Sequence, residues 1–411
     1  MKTMISSLPR DLIEEIISRV PLKSMKAVRL TCKSWNNLCK RECFTKMHIG
    51  KAAAREEKTM MIAMMPHNLY LMSVVVDDVN PSTELKGQFS FLHKEVSIYE
   101  IFNYEGLLLC ILKGFTMILV WNPYLGQTRW IKLRYSYHPN GWHIFNYALG
   151  YEEKESCRSI KVLRFLDNFN EAPEKQFFWY EIYDFDSGLW TTLDVTPHWA
   201  IARGDPGVSL KGNSYWTAIE RNTESFRSHI ICFDFTRERF GPLLPLPCCA
   251  RNRGYPYVTL ACVKEEKLAA LFLHHQSYKY EFDIWITTKI EAEMVSWSKF
   301  LRMDMRPKIC VPVTFFINEE KKVFMGFNHR EYPKTFINTI REAKYLRKLD
   351  LAVPEEGQYS LCSYVPSLVQ IKKPARGKMI KQSSLENRRF VQNRSRLAAI
   401  HKQSSAFNVF W

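Results

Sequence analysis

The sequence predicts an α+β multidomain chain: a small helical module at the N-terminus, a long all-β region, and a basic, flexible tail. Three observations carry this. Apolar residues keep a helical period over roughly the first forty positions only. From about residue 70 they come as short alternating runs bounded by Gly, Pro, Asn and Asp, and aromatics make up 14% of the chain, which is the texture of strands and turns. The last forty or so residues lose both patterns and gather positive charge.

In the helical module, Pro9 suits a helix start, where a missing N–H costs nothing. Asp11, Glu14 and Glu15 crowd the first turns and Arg19 the last, as the helix dipole favours. Leu12, Ile16 and Val20 recur every four residues with Ile13 and Ile17 beside them, so the apolar stripe is wide; Pro21 then ends the helix. Ser24 is placed to cap a second helical stretch, where Met25, Val28, Cys32, Trp35 and Cys39 recur at spacings of 3, 4, 3 and 4. A module of about forty residues buries too little surface to stand alone. Its surplus apolar surface calls for a cover, either a partner or the rest of the chain.

Leu8-Pro9, Asp11-Leu12, Glu15-Ile16, Arg19, Pro21, Lys23-Ser24, Arg29, Cys32-Lys33, Trp35 and Leu38 agree in order and spacing with the F-box, which residues 6–46 therefore resemble. The resemblance implies a three-helix module over residues 1–49 that docks on a Skp-type adaptor and so joins a cullin–RING ubiquitin ligase. It implies that Leu8, Pro9, Leu12, Ile16, Val20, Pro21 and Trp35 belong to the adaptor-contacting or core-forming pattern.

A length of 411 residues allows two or three domains, and 46% hydrophobic with 24% charged residues is a globular balance. Charges at Arg10, Asp11, Glu14 and Glu15 break the N-terminal run, so no secretory signal is expected. The most apolar stretch, Leu107 to Trp121, carries Lys113 and Gly114 and is too short to span a bilayer. The expectation is an intracellular protein of the nucleus, the cytoplasm or both, with no membrane partner. Eleven scattered cysteines without a Cys-x-x-Cys pair suit free thiols. Cys32, Cys39, Cys43 and His48 are too loosely spaced for a zinc site, and no metal or cofactor is expected.

Residues 50–94 read as a helical, Met-rich bridge (Met60, Met61, Met64, Met65) followed by a first strand at Tyr70 to Val76. Over residues 95–370 a diffuse repeat emerges. Val120–Asn122 turns into Thr128–Trp130, Tyr180–Phe185 into Leu189–Trp190, Ile231–Phe235 into Arg239–Phe240, and Phe282–Ile286, through a longer loop, into Val295–Trp297. A further strand precedes each: Gly106–Leu112, Ser159–Phe165, Gly212–Ala218 and Lys267–Leu273, with another at Lys321–Phe327. The returning aromatics at 130, 190, 240 and 297 are 60, 50 and 57 residues apart, a period that predicts a kelch-like β-propeller of undetermined blade number. A β-sandwich of similar hairpins is the alternative. Gly106–Cys110 followed by Val120-Trp121-Asn122-Pro123, then Tyr183-Asp184-Phe185 and Phe233-Asp234-Phe235, resemble the F-box-associated domain of plant F-box proteins. That resemblance implies a propeller-like substrate receptor.

No phosphate-binding loop, dinucleotide turn or nucleophile elbow is present, so the chain reads as non-catalytic. Asp184 and Asp186 belong to a hairpin turn, and His274-His275 lack a third ligand. Propellers bind through the loops at one end or across the central channel. The candidate substrate contacts are therefore Tyr135, Tyr137 and Trp142 in one loop, Trp199 and Arg203 in a second, and Arg251, Arg253, Tyr255 and Tyr257 in a third. Of the net +16, more than half lies in the tail over 371–411, where ten lysines and arginines from Lys372 to Lys402 face one acid, Glu386. The function expected is target recognition for a ubiquitin ligase. The alternative is a non-degradative interaction protein that binds a protein, glycan or nucleic acid through the propeller or the tail.

Overall fold

Three short helices open the chain: α1 (Arg10–Ile17), α2 (Met25–Thr31) and α3 (Lys33–Leu38). The computed structural model describes residues 9–20, 24–39, 41, 44, 47–48, 58–65, 68–75, 82–88, 97–135, 145–154, 157–167, 176–202, 205, 207–221, 228–247, 257–264, 266–276, 279–304, 314–319, 322–328, 336–341, 344–350, 360–367, 369–371 and 381–407. The stretch expected as one helix from Met25 onward is broken at Cys32, whose extended backbone (φ −158°, ψ 162°) starts α3 while its Sγ accepts the Trp35 N–H at 3.4 Å. The first helix ends earlier than Pro21, at Ser18, and Arg19 turns back to pair with Glu15 at 2.7 Å.

Phe44, Met47 and His48 are also helical, and among the described residues every element from Lys58 to Ser363 is a strand. The first sheet begins with β1 (Lys58–Met65), β2 (Asn68–Val75) and β3 (Ser82–Gln88), so the Met-rich bridge is strand rather than helix. Its side chains alternate: Met61 and Ala63 face one buried cluster, Ile62 and Met64 another, a period of two that a run of unbranched methionines conceals. The second sheet holds β4 (Ile98–Tyr104), β5 (Leu107–Leu112), β6 (Met117–Asn122) and β7 (Gln127–Lys132). The third holds β8 (Asn146–Lys154), β9 (Cys157–Asp167), β10 (Phe178–Asp184) and β11 (Trp190–Leu193).

In the fourth sheet both edges are interrupted. β12 (Trp199–Ile201) and β13 (Val208–Leu210) share the inner side of β14 (Asn213–Glu220), while β15 (Ser228–Asp234) pairs outward with β16 (Arg239–Phe240) and β17 (Leu244–Pro245). The fifth sheet is β18 (Tyr257–Val263), β19 (Lys267–Gln276), β20 (Lys279–Glu291) and β21 (Met294–Asp304). Only two residues separate the long strands β20 and β21, so the longer loop expected there is extended pairing instead. The sixth is β22 (Thr314–Asn318), β23 (Val323–Asn328), β24 (Phe336–Arg341) and β25 (Lys344–Asp350).

The chain then returns to the first sheet. β26 (Ser360–Ser363) pairs antiparallel with β1, Met61 opposite Ser363 and Met64 opposite Ser360, and becomes its innermost strand. Each innermost strand touches that of the next sheet: β4 with β8, β8 with β13, β13 with β18, β18 with β22, β22 with β26 and β26 with β4. Six sheets thus close into a propeller, which removes most free edges. The hairpins read from the sequence are the second to fourth strands of their blades.

The antiparallel order sorts the connections. Turns between first and second, and third and fourth, strands of a blade lie at one end of the ring, and turns between second and third strands and the links from one blade to the next lie at the opposite end. The helical module sits at the first of these, the turn end, against the β6–β7 turn. The largest core cluster fills the space between the second, third and fourth sheets, with Trp179, Tyr180, Phe165, Trp216 and Phe233 fully buried.

The tail corrects an expectation. Residues 384–407 form a helix, α4 (Ser384–Phe407), docked on the propeller from Glu386 to Ile400. Glu386, Phe390, Asn393, Leu397 and Ile400 recur at spacings of 4, 3, 4 and 3 and form its less exposed side. Two of these five are polar, so no apolar stripe announces the helix in the sequence.

Candidate functional site

The described candidate residues fall at the two ends of the ring. At the turn end, α1 splits its wide stripe. Ile17 is buried with Met25, Leu38, Cys39 and Phe44, and Ile13, Val20, Val28 and Trp35 pack partly against them. Leu12 and Ile16, one helical turn apart, point the other way and are 51% and 47% exposed, and Leu30 of α2 is 77% exposed. Val20 and Trp35 therefore lie on the packed side, Leu12 and Ile16 on the open side. Pro9, exposed, precedes α1. Leu8 and Pro21 lie outside the described residues.

The module is seated on the β6–β7 turn. Tyr124 and Leu125 enter its apolar cluster. His48, buried between the two parts, has Nε2 at 2.7 Å from the Val20 carbonyl oxygen and Nδ1 at 3.0 Å from the Tyr124 hydroxyl. A carbonyl can only accept, so Nε2 carries a proton, and in the neutral ring Nδ1 accepts from the Tyr124 hydroxyl. Arg29 donates to the Leu125 carbonyl. Burial pushes the Cys39 thiol up to about 11, which keeps it protonated within the cluster. Among the described residues no three His, Cys, Asp or Glu side chains converge as metal ligands.

The same turn is gripped from the C-terminal side. Asn122, fully buried, donates through Nδ2 to the carbonyls of Ser367 (2.9 Å) and Val369 (2.8 Å), and its Oδ1 accepts the Leu125 N–H at 2.9 Å. Ile371 N–H donates to Gln127 Oε1 at 2.7 Å. Gly106 (φ +75°) must be glycine for a second reason: an added Cβ would stand 2.0 Å from the Val365 carbonyl oxygen.

At the opposite end, Tyr135 follows β7, stacks on Trp179 at 5.8 Å and accepts Arg164 through its carbonyl. Trp199 does not serve a rim role. It is 3% exposed, its ring lies 4.5 Å from that of Phe240, and its carbonyl takes the Arg221 Nε–H at 2.6 Å. An aromatic beside a turn looks alike in sequence whether it faces the core or solvent. Tyr137, Trp142, Arg203, Arg251, Arg253 and Tyr255 lie outside the described residues, as does the side chain of Tyr257, whose backbone starts β18. The Asp184 carboxylate accepts the N–H groups of Asp186 and Ser187 at 2.5 and 2.9 Å, the local role that turn chemistry predicts.

Sequence reasoning missed a buried ionic chain beside Tyr135. Arg164 donates to Glu181 Oε1 at 3.0 Å, Arg134 to Glu181 Oε2 at 2.8 Å, and Arg134 again to Glu386 of α4 at 2.7 Å. Glu386 also accepts the Thr192 N–H (2.9 Å) and hydroxyl (2.7 Å). Deeper in, burial pushes the Glu100 carboxyl on β4 up to about 7.

Comparison with known proteins now decides the family. Residues 60–371 match the model of the F-box associated beta propeller domain, and residues 5–47 that of the F-box domain. This chain is an F-box protein of the F-box-associated propeller family. A putative F-box protein of Arabidopsis thaliana is 71% identical to it over 405 residues, covering 98% of this chain and 99% of the relative. An F-box/kelch-repeat protein of the same plant is 56% identical over 413 residues, covering 95% of each. The crystal structure of TolB from Acinetobacter baumannii aligns with 78% of this chain and 72% of its own at 10% identity and a TM-score of 0.39, too distant to bear on the site. In this F-box protein, α1 to α3 are the F-box helices, and the six sheets with the segment to Ile371 are the propeller. No helix among its described residues is long and apolar enough to cross a membrane.

Proposed function

We propose that this F-box protein is the target-recognition subunit of a Skp–cullin–F-box ubiquitin ligase, with a Skp-type adaptor on the F-box and the target on the far end of the propeller. The observation that carries it is the division of the α1 stripe. Ile13 and Ile17 already satisfy the module's own core, yet Leu12 and Ile16 stand half exposed beside them. Apolar surface of that kind on a folded module is a docking face. Leu8, Pro9 and Pro21, next to α1 in the sequence, are proposed as further adaptor contacts, while Val20 and Trp35 support the face from behind.

The F-box is seated at the turn end, so an adaptor there leaves the opposite end open to a target. Tyr135, Tyr137, Trp142, Arg203, Arg251, Arg253, Tyr255 and Tyr257 are the proposed target contacts. The protein then does no chemistry of its own: it raises the local concentration of the target beside a charged conjugating enzyme. The reading places it in the nucleus or cytoplasm, where such ligases act. Co-purification of the full chain and of Leu12→Asp/Ile16→Asp with a Skp-type adaptor tests it. Binding by the wild type alone supports the reading; equal recovery of adaptor with both chains, or with neither, overturns it.

A further inference from the structure

The C-terminal helix lies beyond the family's matched propeller domain, which ends at residue 371. Its position is defined by the contacts that hold it. Gln382 donates to the carbonyl of Trp190, at the turn end of β11, and Glu386 is bound by Thr192, further along that strand. Phe390 packs 5.8 Å from Trp179, and Arg396 lies over Phe177 at 5.6 Å, both at the start of β10 and so at the opposite end of the ring. The helix therefore climbs the outside of the second and third blades and carries its later turns towards the end remote from the F-box. Its 24 residues span about 36 Å.

The distribution of charge along α4 is one-sided. Its sole acid, Glu386, is turned inward to Arg134 and Thr192 and is 6% exposed. Arg388, Arg389 and Arg394 are exposed, and none makes a hydrogen bond or ion pair among the described residues. Leu385, one turn before Arg388 and Arg389, and Val391, between these two and Arg394, are 61% and 49% exposed. An isolated basic tail would leave these groups free to move. Here the buried ion pair and the Phe390 contact fix the backbone that bears them, so less order has to be created on binding.

We propose that this outward face of α4 is a docking surface for an acidic, amphipathic segment of the target protein. Guanidinium groups match carboxylates in a forked geometry, and Leu385 and Val391, one turn before and one turn after Arg388, supply apolar contacts that a phosphate backbone could not use. Phe390 is turned inward, so it offers no stacking platform for the bases of a single strand. The inference rests on the receptor reading above and adds the chemistry of what is received.

The test is fluorescence anisotropy with the full chain and three labelled probes: a Glu/Leu peptide, its Gln/Leu counterpart and a single-stranded RNA. The acidic peptide is expected to bind, the Gln/Leu peptide not to bind, and Arg388→Glu/Arg389→Glu/Arg394→Glu to weaken the acidic peptide by about tenfold or more, which is about 1.4 kcal/mol. Reversing Lys211 and Lys322, exposed on turns at the F-box end, serves as the control and leaves binding unchanged. Matching circular dichroism melts show that the triple variant is folded. Unchanged peptide affinity in the triple variant overturns the proposal, and so does tighter binding of RNA than of peptide, which assigns the face to nucleic acid. Adaptor binding is measured on the same preparations. Loss of peptide binding with the adaptor retained therefore tests α4 alone, whereas a wild-type chain that never binds adaptor overturns the receptor reading.

Discussion

Truncating Leu12 and Ile16 to Ala should separate docking from folding. Full burial of such a side chain is worth roughly 1.5–3 kcal/mol, and an adaptor can hide only the half of each that is exposed, so the transfer part is about 1 kcal/mol per residue. Voids left in a packed interface add a comparable amount, bringing the pair to about 2–4 kcal/mol, or roughly 30- to 1,000-fold in Kd. The same change should cost the free chain little, because these groups contribute few contacts to its own core. Ile17→Ala is the converse: at 1% exposure it should destabilise the module by about 2–4 kcal/mol. Titration calorimetry against a Skp-type adaptor, with thermal melts of each free chain, reads both quantities. An adaptor affinity for Leu12→Ala/Ile16→Ala within threefold of wild type, in a chain that melts normally, would refute the assignment of this face.

Three further outcomes follow from buried polar groups. Asn122→Ala strands the carbonyls of Ser367 and Val369 and should lower stability by about 2–4 kcal/mol in a denaturant titration. Glu386→Ala removes the acceptor shared by Arg134 and Thr192, so hydrogen exchange should accelerate throughout residues 384–400 and stay unchanged in the F-box helices. Glu100 bears on pH. Its folded carboxyl is raised from 4.5 to about 7, so the folded state favours the protonated form. The penalty is absent below about pH 4.5, grows as pH rises and is complete above about 7. Glu100→Gln should then stabilise the protein by on the order of 2 kcal/mol at pH 8 and leave it nearly unchanged at pH 4.5.

The parts of the fold legible in the sequence are those whose pattern is local. Leu12, Ile16 and their neighbours sit on one short helix, and the hairpins from Val120 to Trp297 combine alternation with turn residues a few positions apart. Among the innermost strands, β12 and β13 escaped because they are short and split one edge between them, and β26 because it joins a sheet whose other strands lie about three hundred residues earlier. α4 escaped for a different reason. Its anchor is a carboxylate whose two partners come from β11 and from Arg134, two residues past β7, and no periodicity in its own sequence reports them. Trp199 shows the limit at the candidate site: composition marks an aromatic, but the pairing of β12 with β14 is what seals it inside.

Closing the first blade with β26 also sets an order of events during synthesis. The three F-box helices and the strands β1 to β3 leave the ribosome first, but the fourth strand of their sheet is not translated until residues 360–363. At roughly 5–20 residues per second the gap lasts on the order of 15–50 s. Throughout it the inner edge of β1 is unpaired and the ring is open, while α1, which carries Leu12 and Ile16, and its seat at Tyr124 and Leu125 are made early. The nascent chain thus acquires its exposed helical face well before its receptor can close.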